Sequence, residues 1–393
     1  RDTGEIVRKS IVRTYWTIAA RRPYWRGRLV QQLSLPLEAE NQPRDPLYVA
    51  GHNLFAPFLC GLIHHIAEQC RARDIRRIYF FSREGELLKQ VWDAIAPALS
   101  PEGVVPAAHY LHVSRMALAG PSCAYRGLSH ENAAIAFLPA ANRDIRDLAR
   151  VYGLAAAALA PHLAPHGLRI DTPLSRFHEG WDPANGDRFR RALEDPAFQI
   201  EVKRQTRDAN EALQKYLEGE HFFDQPDVAV VDIGWLGTIQ RYLHQSVAHR
   251  PDHPRMHGFV LALAGSFPFP TEADNRIEGY AFDRTTFDFA GSLIMYAREL
   301  FEEVARAPHP GLMAYRLRDG KCELEFRPDG DAFARNEAEQ SAYFTTLRQG
   351  VLAAAGRYAA AVRLLNYTAR DLKPWLNVLL VSRIAFPRAS EVV

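Results

Sequence analysis

A chain of 393 residues is long enough for two domains, or for one large domain with an insertion. With 47% apolar and 24% charged residues it has the composition of an ordinary globular protein, which excludes disorder as the main state and excludes collagen-like or low-complexity architectures. The net charge of +2 is too balanced to indicate a nucleic-acid binder, so no nucleic-acid partner is expected. Cys60, Cys70, Cys123 and Cys322 are widely spaced with no C-x-x-C pair. That pattern argues against a zinc ribbon or a disulfide scaffold and fits a reducing compartment.

Residues 1–45 differ from the rest. Arg1, Arg8, Lys9, Arg13, Arg21, Arg22, Arg26 and Arg28 face only Asp2 and Glu5, with Tyr15, Trp16, Tyr24 and Trp25 interleaved. Basic and interfacial aromatic residues together suit contact with an anionic membrane surface. They equally suit a linker helix whose aromatics pack on the next domain. A polar, proline-rich stretch from Pro36 to Pro46 reads as a linker. The chain starts at Arg1 and shows no signal-peptide pattern, so it reads as a soluble piece of a longer protein. No run reaches the roughly 18 apolar residues of a spanning helix. The longest, Tyr48 to Ile63, is interrupted by His52, Asn53 and Pro57.

An α/β pattern is expected over 46–120. Apolar residues at Leu54, Phe55, Phe58, Leu62 and Ile66 have helical spacing, and Arg77 to Phe81 reads as a buried strand. Ser82-Arg83-Glu84-Gly85 turns the chain into a helix from Glu86 to Ala96, and His109 to Val113 is a second strand. Strand, tight polar loop, helix, strand predicts a parallel sheet. Residues 121–220 read as a helical insertion without a strand. The sheet resumes over 221–330 with Asp227 to Asp232, a glycine-containing loop, the helix Thr238 to Val247 and the strand Gly258 to Leu263. A C-terminal helical region is expected over 331–393.

Candidate chemistry gathers on the loops. Asp232 is delivered to the carboxyl end of a strand, where open α/β sheets place ligands. Gly234 and Gly237 free the backbone of the following Gly234-Trp235-Leu236-Gly237-Thr238 segment for close approach to a phosphate, and Thr238 opens a helix whose N–H groups favour an anion. The alternative is an ordinary βα turn with Asp232 as helix cap. On the first loop, Arg83 offers a planar fork suited to pyrophosphate, Ser82 can cap the helix, and Glu84 can orient Arg83 or hold a metal. The alternative there is a capping box with a surface ion pair. Ser114 and Arg115 follow the second strand and can point at the same edge, or Arg115 is a surface residue. Glu299 and Glu302 share a helix face and are candidates for a general base, or for a charged solvent face. The histidines show no metal-ligand spacing, and Asp329-Gly330-Asp331 reads as a loop rather than a D-x-D metal motif.

Residues 81–88 (F-S-R-E-G-E-L-L) and 231–240 (V-D-I-G-W-L-G-T-I-Q) together resemble the domain joined to haloacid-dehalogenase-type phosphatases in bacterial surface-polysaccharide gene clusters. The resemblance covers about residues 47–320. The phosphatase's own F-D-x-F-D-T motif is absent, which implies a phosphatase domain outside this sequence. The order of elements is also similar to type I phosphoribosyltransferases. That likeness implies a pyrophosphate loop at Ser82, Arg83, Glu84 and Gly85, a ribose- and magnesium-binding acid at Asp232, and a 5-phosphate loop from Gly234 to Thr238. The family usually has two adjacent acids, and here the second position is Ile233. The implied activity is Mg2+-dependent transfer of 5-phosphoribofuranose from phosphoribosyl pyrophosphate to a lipid-linked or free oligosaccharide, in the cytoplasm or at the inner face of its membrane. A nucleotide-sugar glycosyltransferase and a non-catalytic scaffold for the phosphatase are the alternatives.

Overall fold

The computed structural model describes residues 45–387 apart from 101–102, 138–141, 177–179, 265–271, 287, 329 and 366, together with Lys9, Ser10 and Arg13. The basic, aromatic segment before residue 45 otherwise lies outside the described residues, as does Asp329 of the D-x-D sequence. Helix α1 (Pro46–Ala72) passes through a π-helical turn at Gly51–Phe55. Among the described residues it is the one helix long and apolar enough to cross a membrane, and 61% of its most apolar window is buried inside the protein.

Strand β1 (Arg77–Phe81), helix α2 (Gly85–Leu99) and strand β2 (Ala107–Leu111) form the first βαβ unit. Then come α3 (Arg115–Cys123), α4 (His130–Ile135) and the short strand β3 (Arg143–Asp144) with α5 (Ile145–Val151) and α6 (Ala156–Leu163). Strands β4 (Pro173–Arg176) and β5 (Gly180–Trp181) precede α7 (Pro183–Glu194) and the long α8 (Pro196–Gly219). Strands β3, β4 and β5 pair antiparallel into a small sheet, so the stretch expected to be wholly helical is not. Strands of two to four residues are too short to display a two-residue alternation.

The main sheet is completed by β6 (Asp227–Trp235), which α9 (Thr238–Val247) follows, then by β7 (Arg255–Leu263) and β8 (Asn275–Asp283). Its order is β2-β1-β6-β7-β8, and every neighbouring pair is parallel. Helices α10 (Phe289–Ser292) and α11 (Arg298–Ala305) lead to the hairpin β9 (Leu312–Arg318) and β10 (Lys321–Phe326), which packs on α8. Helices α12 (Ala332–Tyr343), α13 (Thr345–Leu365) and α14 (Lys373–Leu379) close the described chain.

The sheet is apolar on both faces, as a parallel sheet covered by helices must be. Ile78, Phe80, Ala229, Val231 and Ile233 face a core shared with α1, α2, α11 and α13, while Tyr79, Phe81, Val228 and Val230 face a second core built with α3, α8 and α9. Consecutive strand residues alternate between the two cores, so a single-residue slip would exchange the whole set. All four cysteines are free thiols, and Cys60, Cys70 and Cys123 are buried.

Candidate functional site at the strand switch point

From β1 the chain proceeds to β2 on one side, and from β6 it proceeds to β7 and β8 on the other. The gap between the carboxyl ends of β1 and β6 is therefore the topological switch point, where the two following helices leave for opposite faces and open a crevice. Both loops singled out from the sequence end in this crevice, because β1 and β6 are hydrogen-bonded neighbours.

The first loop is short and tightly held. Gly85 opens α2 with its Cα against the Phe80 backbone, and a β-carbon there would come within 2.7 Å of the Phe80 carbonyl carbon. Ser82 is buried, and its hydroxyl donates to the Val113 carbonyl at 2.8 Å while accepting from the Val113 N–H at 3.1 Å. It anchors the loop to the end of β2 and does not cap α2. The half-buried Arg83 makes a two-pronged ion pair with Glu337 of α12, at 2.6 and 2.7 Å. Glu84 accepts from the Arg83 backbone N–H at 3.2 Å, and Glu86 buries a carboxylate oxygen that has no hydrogen-bond partner. The Ser82–Arg83 and Gly234–Trp235 peptide bonds are both cis.

Strand β6 runs further than the sequence suggested, through Trp235, leaving Leu236 and Gly237 as the only loop residues before α9. Gly234 has φ +145°, and a β-carbon on it would meet the Ala262 carbonyl oxygen of β7 at 2.6 Å. Gly237 occupies the N-cap of α9 with φ +69°, a left-handed conformation that glycine adopts without steric cost, and no side chain caps that helix. The first N–H groups of α9, beside the buried Thr238, are thus available to an anion in the crevice. Asp232 is not the cap of α9: one carboxylate oxygen accepts from the adjacent Ile233 N–H at 2.7 Å.

The acids of the crevice are poorly compensated. Burial pushes the Asp232 carboxyl well above the usual carboxylate range, and the negative charges of Glu84 and Glu302 push it further. Glu302 of α11 is likewise raised, first by burial and then by Glu84, against a hydrogen bond donated by the Trp235 indole at 2.5 Å. Glu84, Asp232 and Glu302 come from three elements and share one field. Like charges sharing a partly dry cleft raise one another's proton affinity, and a cation or a proton relieves that repulsion.

Other sequence candidates fall elsewhere. Glu299, three residues before Glu302, is exposed and paired with Arg298 at 2.7 Å, so α11 divides the expected pair between cleft and solvent. Ser114 caps α3, accepting from the Ala117 N–H at 3.0 Å and donating to the Leu312 carbonyl at 2.7 Å, and Arg115 is exposed on the first turn of α3.

Sequence reasoning missed Glu337, which occupies the Arg83 fork from 254 residues away and carries no local motif. It also missed His309, whose Nε2 lies 2.6 Å from the Tyr110 hydroxyl behind the first loop. A cavity of about 250 Å3 opens beside the Arg83–Glu337 pair and is bordered by His309 and Arg335. A larger one, about 420 Å3, lies at the other end of the sheet between α1 and α2, away from all of these acids. No known protein-family model matches this chain, and no curated protein matches it.

Proposed function

We propose that the chain is a magnesium-dependent phosphoribosyltransferase that moves 5-phosphoribofuranose from phosphoribosyl pyrophosphate to a hydroxyl of a bacterial polysaccharide acceptor. The observation that carries this reading is the convergence of two tight βα loops at the switch point, where Asp232 and Glu302 both feel the negative charge of Glu84. A bare pyrophosphate would be repelled by those acids, whereas a pyrophosphate that arrives with a divalent cation would be drawn to them.

Hard carboxylate oxygens are suitable ligands for Mg2+. Glu84 and Asp232 would hold it, and it would neutralise charge on the departing pyrophosphate. The uncapped start of α9 at Gly237 and Thr238 suits the 5-phosphate. Arg83 would exchange Glu337 for the pyrophosphate, a partner with the same bidentate geometry. In the transfer, the C1–oxygen bond to pyrophosphate breaks and a C1–oxygen bond to the acceptor forms. The acceptor hydroxyl loses its proton to Glu302. Burial and the Glu84 charge raise the proton affinity of that carboxyl, which makes it a stronger base than an ordinary glutamate.

The acceptor, by this reading, is a lipid-linked or free oligosaccharide on the cytoplasmic side of the membrane, and a phosphatase domain outside this sequence removes the 5-phosphate. Calorimetric titration of phosphoribosyl pyrophosphate, with and without Mg2+, tests the donor. Micromolar binding that needs Mg2+ supports the transferase. Binding of a nucleotide sugar instead would move the assignment to that donor class, and binding of neither would leave a scaffold.

A further inference from the structure

A second group of side chains lies at the opposite, amino-terminal edge of the sheet. His244 is in the last turn of α9, His253 in the connection to β7, and Asp274 immediately before β8. Among the described residues these three bring a ligand atom each to within 4.8 Å of one another. Asp274 Oδ2 lies 3.2 Å from His244 Nε2 and 2.9 Å from His253 Nε2. No short motif marks them, since they come from three separate segments.

The far side of each imidazole fixes what the near side can offer. His244 Nδ1 lies 2.9 Å from a Glu272 carboxylate oxygen, and the other Glu272 oxygen is held by Arg126 at 3.0 Å. His253 Nδ1 lies 2.5 Å from the Arg250 carbonyl. Both Nδ1 atoms face pure acceptors and must therefore donate, which in the neutral ring leaves each Nε2 with a lone pair directed at Asp274. Two lone pairs and a carboxylate converge on one point, an arrangement that calls for a positive charge at the centre. His244 is 1% exposed, and its buried Nε2 has no hydrogen-bond partner despite that proximity.

We infer that His244, His253 and Asp274 form a binding site for a divalent transition metal of the zinc class, with Glu272 orienting His244 from behind. Imidazole nitrogen and carboxylate oxygen at about 2.0 Å from zinc stand roughly 3.3 Å apart in a tetrahedral shell, close to the 3.2 and 2.9 Å of the two histidine–Asp274 pairs. A carboxylate or carbonyl on the remote nitrogen is the usual support of a metal-bound histidine. The Asp274 carbonyl also accepts from the Met256 N–H at 2.8 Å, which ties the ligand to the start of β7. An ion here would clip the end of α9, the turn before β7 and the start of β8 together. That role is structural, and it is remote from the acids at the switch point.

The full chain, stripped with a chelator and dialysed, would be titrated with zinc in competition with a chromophoric chelator, and its melting temperature followed. The expected result is about one zinc per chain, a melting temperature that rises by several degrees with zinc and not with Mg2+, and loss of both effects in His253→Ala and in Asp274→Asn. His253 is at the surface end of the site, so its replacement leaves the core packing intact. Unchanged melting temperature and no stoichiometric zinc in the wild type would overturn the inference. Retention of zinc by both variants would overturn it equally.

Discussion

Asp227 and Asp232 stand on the same strand, five residues apart, and the fold treats them in opposite ways. Asp227, where β6 begins, accepts two hydrogen bonds from Arg255, at 2.6 and 2.9 Å, and has His257 Nε2 at 2.9 Å. The Arg255 guanidinium, followed by His257, holds its carboxyl below the usual range. Asp232, near the carboxyl end, has the backbone N–H groups of Ile233 and Gly234 for support and is raised by burial and by two neighbouring acids. The compensated charge of Asp227 maintains the fold. Uncompensated charge at the switch point opposes it, and such charge persists where a ligand completes the site.

Substitutions can sharpen or break this contrast. The largest effect is expected from Glu302→Gln at the crevice. The Trp235 indole can still donate to the amide oxygen, so the fold should hold, while acceptor-dependent pyrophosphate release falls by about 10²–10⁴-fold. A rate within a few-fold of wild type would remove Glu302 from the chemistry. Next comes Gly234→Ala, which puts a β-carbon against the Ala262 carbonyl at a φ of +145°. Denaturant unfolding should show a loss of about 2–3 kcal/mol. An unchanged midpoint would mean that the β6–β7 contact yields easily.

At the compensated edge, Asp227→Asn should cost about 1 kcal/mol or less at neutral pH, because Arg255 is largely exposed. Its folded carboxyl titrates below the unfolded one. The stability it adds is therefore present above the ordinary aspartate range, near pH 4, and is lost as the pH falls through the folded value. The variant and wild type should converge in acid, as followed by thermal melts from pH 7 down to pH 3. The smallest effect is expected from Glu299→Gln. With its carboxylate in solvent, stability should stay within about 0.5 kcal/mol and turnover within two-fold.

Much of the sheet was legible because parallel strands buried on both faces announce themselves as apolar runs. Arg77 to Phe81 and the helix Thr238 to Val247 match their observed bounds residue for residue. Strand β8 was not legible, since Asn275-Arg276-Ile277-Glu278 mixes polarities on an edge strand that buries only Tyr280 and Ala281 fully. The two loops could be found in the sequence because the strand–loop–helix grammar puts them at one edge. What the side chains do there depends on residues far away. Ser82 turns to Val113, Arg83 to Glu337, and Trp235 to Glu302, and no local pattern encodes those partners. Nor could helical spacing separate Glu299 from Glu302, because the boundary between cleft and solvent runs between them.

Asp232→Asn, melted from pH 4 to pH 8 and titrated in parallel with phosphoribosyl pyrophosphate and Mg2+, tests the central claim most directly. A carboxyl whose folded proton affinity is raised favours folding below the unfolded range and opposes it as the pH climbs through the folded value. The account predicts that the variant melts a few degrees above wild type at pH 8, that the gain vanishes near pH 4, and that donor binding is lost. A variant that melts lower than wild type at pH 8, or that still binds the donor, would show that Asp232 supports the fold rather than the site.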